Sequence, residues 1–174
     1  MSGTPRIPER LQWTIGLVDV QPADHLLEIG CGPGHAVALV CDRLAHGTIT
    51  AIDRSPVMVA RAKDRNRGCV LVGRARIEQR TLVAATFERR FRKVFAINVN
   101  AFWTDPEPSF AALTRLLHPA GTAFLTWEPP SQARLRELQA RLPKRLQEHG
   151  LEMVALEEQK FRRGVGLCII ARPK

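Results

Sequence analysis

Apolar positions along the chain follow two spacings: short continuous runs, and runs repeating every three or four residues. Their alternation predicts strands interleaved with helices. Leu11, Ile15 and Val18 repeat at helical spacing beyond Pro5 and Pro8, which predicts a short helix begun by Pro8. Trp13 lies close to this stripe and reads as a packing residue or as a cap over a ligand pocket. Gln21-Pro22-Ala23-Asp24 breaks the helix, and His25 to Ile29 reads as the first strand. After a glycine-rich turn, Ala36, Val37, Leu39, Val40 and Leu44 predict a helix with a wide apolar face, closed at Ala45-His46-Gly47 with Gly47 as C-cap. Thr48 to Ile52, rich in β-branched residues, predicts a second strand that ends in Asp53. Ser55 is a good N-cap for the next helix, with Pro56 at its first position. Met58, Val59 and Ala62 of that helix face inward, while Arg61, Lys63, Arg65 and Arg67 face water.

Arg74 to Leu82 is less apolar and predicts a third strand nearer a sheet edge; Val94 to Val99 predicts a fourth. A helix follows from Glu107 to Leu117, stopped by His118-Pro119-Ala120-Gly121, and Thr122 to Trp127 predicts the fifth strand. Such alternation argues for a mainly parallel sheet with helices on both faces. The last third differs. Leu135, Leu138, Leu142 and Leu146 form a stripe on a long helix that Pro143 is expected to kink or divide, with Gly150 capping its end. Leu151 to Leu156 and Val165 to Ala171 are two strands with only a polar loop between them, so they pair as an antiparallel hairpin. No boundary interrupts residues 1–174, which read as one domain, with 1–24 as a helical segment packing near the pocket.

The chemistry concentrates in Leu26 to Val37, LLEIGCGPGHAV. Glycines at Gly30, Gly32 and Gly34 between a strand and a helix are expected to present bare backbone N–H groups to a polar or anionic ligand. Glu28 stands just before the turn, and Asp53 ends the next strand. In a doubly wound sheet both tips open into one crevice, where a carboxylate can accept two hydrogen bonds from the paired hydroxyls of a ribose. A dinucleotide fingerprint G-x-G-x-x-G would need glycine or alanine where His35 stands.

The E-x-G-x-G-x-G pattern from Glu28 to Gly34 resembles motif I of the class I S-adenosylmethionine-dependent methyltransferases. AIDRSP at Ala51 to Pro56 is similar to the family's second motif, and LLHPAGTAFLTW at Leu116 to Trp127 to the segment leading through its fifth strand. The resemblance, from about Leu26 to Lys174, implies a Rossmann-like seven-stranded sheet of order 3-2-1-4-5-7-6 with strand 7 antiparallel. It implies S-adenosyl-L-methionine as cofactor. The backbone from Gly30 through Cys31 and Gly32 to Gly34 would pass under the methionine and ribose. Glu28 would lie near the methionine amino group, Asp53 would hold the ribose, Arg54 and Ser55 would border the adenine, and Leu82 and Val83 would flank it. Asn98 would lie beside the transferred methyl, with Asn100 a second catalytic candidate. Trp103, Trp127 and Glu128 are candidates for the acceptor side, with core packing the competing reading for the two tryptophans and a turn cap for Glu128. Two departures stand out: Thr81 and Leu82 occupy positions where many members carry an acid, and Phe91-Arg92 replaces Phe-Asp. The Asn/Asp-Pro-Pro-Tyr/Phe motif of the amino-methylating nucleic-acid enzymes is absent, since Val99-Asn100-Ala101 follows Asn98.

Composition changes this picture in one respect. A formal net charge of +9 over 174 residues admits nucleic acid as a partner beside a small-molecule acceptor. Basic residues spread over solvated helix faces are the competing reading, since they occur throughout the chain without one dense block. Cys31, Cys41, Cys69 and Cys168 form neither a C-x-x-C pair nor a zinc spacing, which points to reduced thiols, a cytoplasmic setting and no metal. No apolar run approaches the roughly 20 residues of a membrane span. A small-molecule methyltransferase is the leading reading; an RNA or DNA methyltransferase and a non-catalytic S-adenosylmethionine-binding subunit are the alternatives, and a homodimer is compatible with each.

Overall fold

The computed structural model describes residues 7–174, so Pro5 and the first part of the expected N-terminal segment lie outside the described residues. The helix α1 (Glu9–Val18) leads into β1 (His25–Ile29), α2 (His35–Cys41), β2 (Thr48–Asp53), α3 (Pro56–Arg65), α4 (Arg67–Leu71) and β3 (Ala75–Gln79). Then come β4 (Phe91–Ile97), α5 (Ala101–Thr104), α6 (Pro106–Leu116), β5 (Leu117–Trp127), α7 (Gln132–Glu148), β6 (Leu151–Phe161) and β7 (Gly164–Pro173). The strands form one sheet of order β3-β2-β1-β4-β5-β7-β6. Pairing is parallel from β3 to β5, and β7 runs antiparallel to both β5 and β6.

Strand alternation divides the core in two. Leu26 of β1 joins Val37, Val40, Ile49 and Val59 under α1, α2 and α3, whereas Leu27 and Ile29 face the side carrying α5, α6 and α7. There Phe110, Leu113, Leu135 and Leu138 cover β4, β5 and β7. No helix connects β3 to β4; residues 80–90 run as turns and irregular chain. The second face of the sheet is therefore bare over the starts of β1 to β3, and the residues there are polar: His25, Thr48, Thr50 and Arg76.

Several boundaries differ from the sequence expectation for physical reasons. The second helix stops at Cys41, and Gly47 is not its cap. The N–H groups of Ala45, His46 and Gly47 all donate to the Pro22 carbonyl, and a Cβ at Gly47 would stand 2.1 Å from the Asp24 carbonyl oxygen. Close approach to the chain before β1 is why glycine sits there. β3 ends at Gln79 rather than Leu82, β4 begins at Phe91 and ends at Ile97, and the helix expected from Glu107 starts at Pro106. The stop segment His118 to Gly121 belongs to β5, whose pairing with β4 shifts register between Phe91 and Lys93. Pro143 does not divide α7. Four buried leucines on its stripe contribute roughly 6–12 kcal/mol, more than the ~3 kcal/mol an interior proline costs. β6 runs on to Phe161, leaving only Arg162 and Arg163 as the hairpin turn. Its outer half, Glu157-Glu158-Gln159-Lys160, is wet on the sheet's edge and so reads like loop.

Candidate active site

The glycine turn after β1 is built by its neighbours rather than by itself. Gly30 and Cys31 donate their N–H groups to the Ile52 carbonyl at 2.8 and 3.0 Å, and Gly32 donates to Asp53 Oδ2 at 2.8 Å. Gly34 donates to the Cys31 carbonyl at 3.0 Å, and Pro33 has no N–H to give. The bare donors expected from the sequence are thus already committed. This turn is no anion cradle of the phosphate-binding kind, which needs free N–H groups.

All three glycines have positive φ, 71° at Gly30, 52° at Gly32 and 78° at Gly34, a region costly for residues with a Cβ. The end of α3 clamps the turn from the other side. Asn66, buried just beyond α3, donates to the Gly34 and Ala62 carbonyls at 2.9 and 2.8 Å, and Arg65 Nε donates to the Pro33 carbonyl at 2.9 Å. Asn66 escaped the sequence reading because an asparagine after a helix ordinarily signals only a cap.

Asp53 is the second organiser. Its Oδ1 accepts the Ser55 N–H at 2.9 Å while Oδ2 accepts Gly32, so each carboxylate oxygen keeps acceptor capacity toward the cavity. Ser55 caps α3 by accepting the Met58 N–H, with Pro56 at the helix start.

Beside these groups opens a cavity of about 550 Å³ lined by Gly30, Asp53, Arg54, Thr81, Leu82, Asn98 and Asn100, among others. Leu82 contributes an apolar wall. Val83 does not line it: the side chain is 48% exposed, and its carbonyl accepts from Arg115. Cys31 is buried in the core under α2, and burial, then Glu28, then Asp53 push its thiol well up, which keeps it protonated and un-nucleophilic. Arg80 borders the cavity and was not picked out from the sequence; its position just beyond β3 is the signal that would have found it.

Glu28 is the unusual group. It is 3% exposed, and its Oε2 is the buried side-chain oxygen without a hydrogen-bond partner among the described residues. Burial, and secondarily the Asp53 charge, hold its carboxyl well above the ordinary value of 4.5. An orphaned buried acceptor costs about 1–3 kcal/mol, and a cationic donor would relieve it. The linkage sign follows. A carboxyl whose folded-state pKa is raised contributes stability that is greatest below about 4.5 and is lost as pH rises toward its folded value. Glu28→Gln should therefore melt no lower than the parent at pH 8 and flatten the decline in melting temperature with pH above 5. A melting temperature several degrees lower at pH 8 would contradict this.

At the cavity's open side Asn98 adopts φ 55°, a left-handed conformation that asparagine tolerates better than most residues. Its N–H donates to the Thr126 carbonyl, and its Oδ1 accepts the Glu128 N–H at 2.8 Å. Asn98 thus ties the tips of β4 and β5 together and keeps its amide hydrogens, with one remaining lone pair on Oδ1, for a ligand. Asn100 ends the loop into α5, the short helix missing from the sequence reading, and its carbonyl accepts from Trp103 and Thr104. Glu128 is held by Arg10 at 3.0 Å. Trp127 is buried, stacked 6.0 Å from Trp103 and donating to the Val99 carbonyl, so it packs rather than lines the cavity. Trp103 is half-buried with the Arg134 guanidinium 4.5 Å above its ring. Trp13 packs edge-on to Phe161.

A methyltransferase-domain family model matches residues 26–121. An uncharacterized methyltransferase, YdaC, of Bacillus subtilis (strain 168) is 30% identical over 146 residues, covering 83% of this chain and 74% of its own length. The trans-aconitate 2-methyltransferase of Escherichia coli O157:H7 is 29% identical over 126 residues, covering 70% of this chain; the chain spans 47%, about half, of that relative. Among solved structures, magnesium protoporphyrin IX methyltransferase from Synechocystis PCC 6803 with bound SAH superposes with a TM-score of 0.76 at 15% identity, over 99% of this chain and 90% of that one, which establishes the shared fold.

Proposed function

The chain belongs to the methyltransferase domain family, and from that premise we propose that it transfers the methyl group of S-adenosylmethionine to a small-molecule acceptor in the cavity between Gly30, Asp53 and Asn98. The single observation that supports this most is Glu28, a buried carboxyl with an unpartnered oxygen beside a turn whose own N–H groups are spent. That combination suits a ligand bringing a cation rather than a phosphate.

S-adenosylmethionine, when bound, supplies an activated methyl on a sulfonium, so the hard chemistry is the cofactor's. The chain's share is orientation and exclusion of water. Glu28 would hold the methionine ammonium, the remaining acceptor capacity of Asp53 would hold the ribose hydroxyls, and Leu82 would pack on the adenine. Asn98, with Glu128 tied behind it, would position the acceptor on the open side. An amide is no general base, so the acceptor either arrives deprotonated or loses its proton elsewhere.

Proton balance gives a signature. Free Glu28 is protonated over a range where the ligand-bound carboxyl, next to an ammonium, is ionised. Binding should therefore release a proton, and affinity should rise with pH until free Glu28 ionises. Titrating S-adenosylhomocysteine calorimetrically at several pH values from 5 to 8, each in two buffers of different ionisation heat, should show enthalpies that diverge between the buffers over part of that range; equal enthalpies at every pH would remove Glu28 from that role.

The trans-aconitate methyltransferase relative and the short strand connections support a small acceptor; free, mostly buried thiols support a cytoplasmic setting. Labelled methyl transfer against small carboxylic acids, amines and phenols, with RNA as a separate arm, tests the substrate class. Labelling of a small acceptor, lost on Asp53→Ala, is expected; labelling of RNA alone would overturn it.

A further inference from the structure

We propose that the trough over the strand starts, which meets the methyl-transfer cavity at Arg80 beyond β3, is a binding site for single-stranded RNA. It has a volume of about 820 Å³, larger than the cofactor cavity, and it lies where no helix covers the starts of β1 and β2. Five arginines line it against two carboxylates, of which Asp24 is already held by Lys93 at 2.7 Å.

Arg89, Arg90 and Arg92 are exposed along one rim and make no ion pair or side-chain hydrogen bond among the described residues. Arg76 and Arg80 stand on the other wall and share Glu78. Against the three unpaired arginines Glu88 is the one lining carboxylate without an ion pair among the described residues, and a concave surface with such an excess of positive charge focuses field onto an anion. Guanidinium forks match phosphate oxygens bidentately.

The floor decides between anionic occupants. Over the strand starts the floor is polar, with the Thr48 hydroxyl bonded to His25 and Thr50 beside it, rather than the continuous apolar strip that an amphipathic acidic helix would bury. Phe87 and Phe91, perpendicular at 5.2 Å and half-buried, add ring surface beside the arginines, with Arg80 lying 5.4 Å over Phe87. A basic groove edged by aromatic rings is the arrangement that takes phosphodiester backbone and unstacked bases together. On the proposed function the methyl acceptor sits in the cofactor cavity, so the strand bound in the trough is a tether.

Fluorescence anisotropy with a labelled twelve-nucleotide oligouridylate tests this on the intact chain. Binding is expected at 50 mM salt. If about four phosphates are contacted, affinity should fall roughly 50-fold by 200 mM, since single strands lose about 0.7 log unit per contact and log salt unit. Arg89→Ala, Arg90→Ala and Arg92→Ala together should lower affinity tenfold or more and reduce the salt slope by about 2, at an unchanged melting temperature. Should that variant melt early, Arg90→Gln and Arg92→Gln singly should each weaken binding severalfold. Arg141→Ala with Lys144→Ala on the outer face of α7 should leave binding intact. No binding at 50 mM salt, equal losses from the α7 and trough variants, or displacement by polyglutamate as effective as by unlabelled RNA would each overturn the proposal.

Discussion

Asp53→Ala is expected to weaken S-adenosylhomocysteine binding by at least about a hundredfold. In the proposed site Asp53 would make two charge-assisted hydrogen bonds to ribose hydroxyls, worth ~1.5–3 kcal/mol each when shielded from water, and both would be lost. The turn suffers too, because the Gly32 and Ser55 N–H groups lose their acceptor at the same time. Asp53→Asn separates these effects. It keeps one carbonyl acceptor, so roughly a tenfold loss is expected with a turn still largely held. Calorimetric titration of both variants reads the difference; an affinity for Asp53→Ala within threefold of the parent would mean that this carboxylate holds no ribose.

The second large effect is on stability. Gly34→Ala combines a positive φ of 78° with a Cβ that would stand 2.5 Å from Asn66 Nδ2 and 2.9 Å from Ala62 Cα and Cβ. The conformational cost is about 1–2 kcal/mol and the overpacking cost about 1–3 kcal/mol. A fall in melting temperature of roughly 5–15 °C should follow for a chain of this size. Asn66 cannot easily step aside, since the same amide nitrogen holds the Gly34 and Ala62 carbonyls. Gly32→Ala is the control: φ there is also positive at 52°, but nothing lies within 4 Å of its Cβ position, so only the conformational term applies. A thermal melt in which Gly34→Ala costs no more than Gly32→Ala would show that the α3 clamp does not set the turn.

These two residues illustrate what the sequence could carry. The strand–glycine–helix unit, the acid closing β2 and the Ser55-Pro56 helix start are local patterns, and local patterns survive without coordinates. The strand order came with the family resemblance rather than from periodicity, which says nothing about which strands are neighbours. Long-range hydrogen bonds left no local trace. Nothing in LLEIGCGPGHAV announces that Ile52 takes two of its N–H groups or that Asn66 takes a third contact from behind. The family resemblance puts both Leu82 and Val83 against the adenine, but the turn after β3 leaves Val83 exposed and only Leu82 on the cavity.

Edges and bare faces misled in a related way. The wet half of β6 reads as loop because an edge strand need not alternate. The arginine-lined trough is invisible in composition, since its charges come from residues 76, 80 and 89–92 and meet only through a connection without a helix.

The central claim is that the cavity lined by Gly30, Asp53 and Asn98, with Glu28 buried at the strand end before the glycine turn, takes an adenosyl sulfonium. Calorimetric titration of the purified chain with S-adenosylhomocysteine at pH 7.5 tests it most directly. One saturable site per chain in about the micromolar range, undiminished by an excess of ATP or NAD, is the expected result. No heat up to millimolar ligand, or displacement by those phosphate-bearing nucleotides, would contradict it.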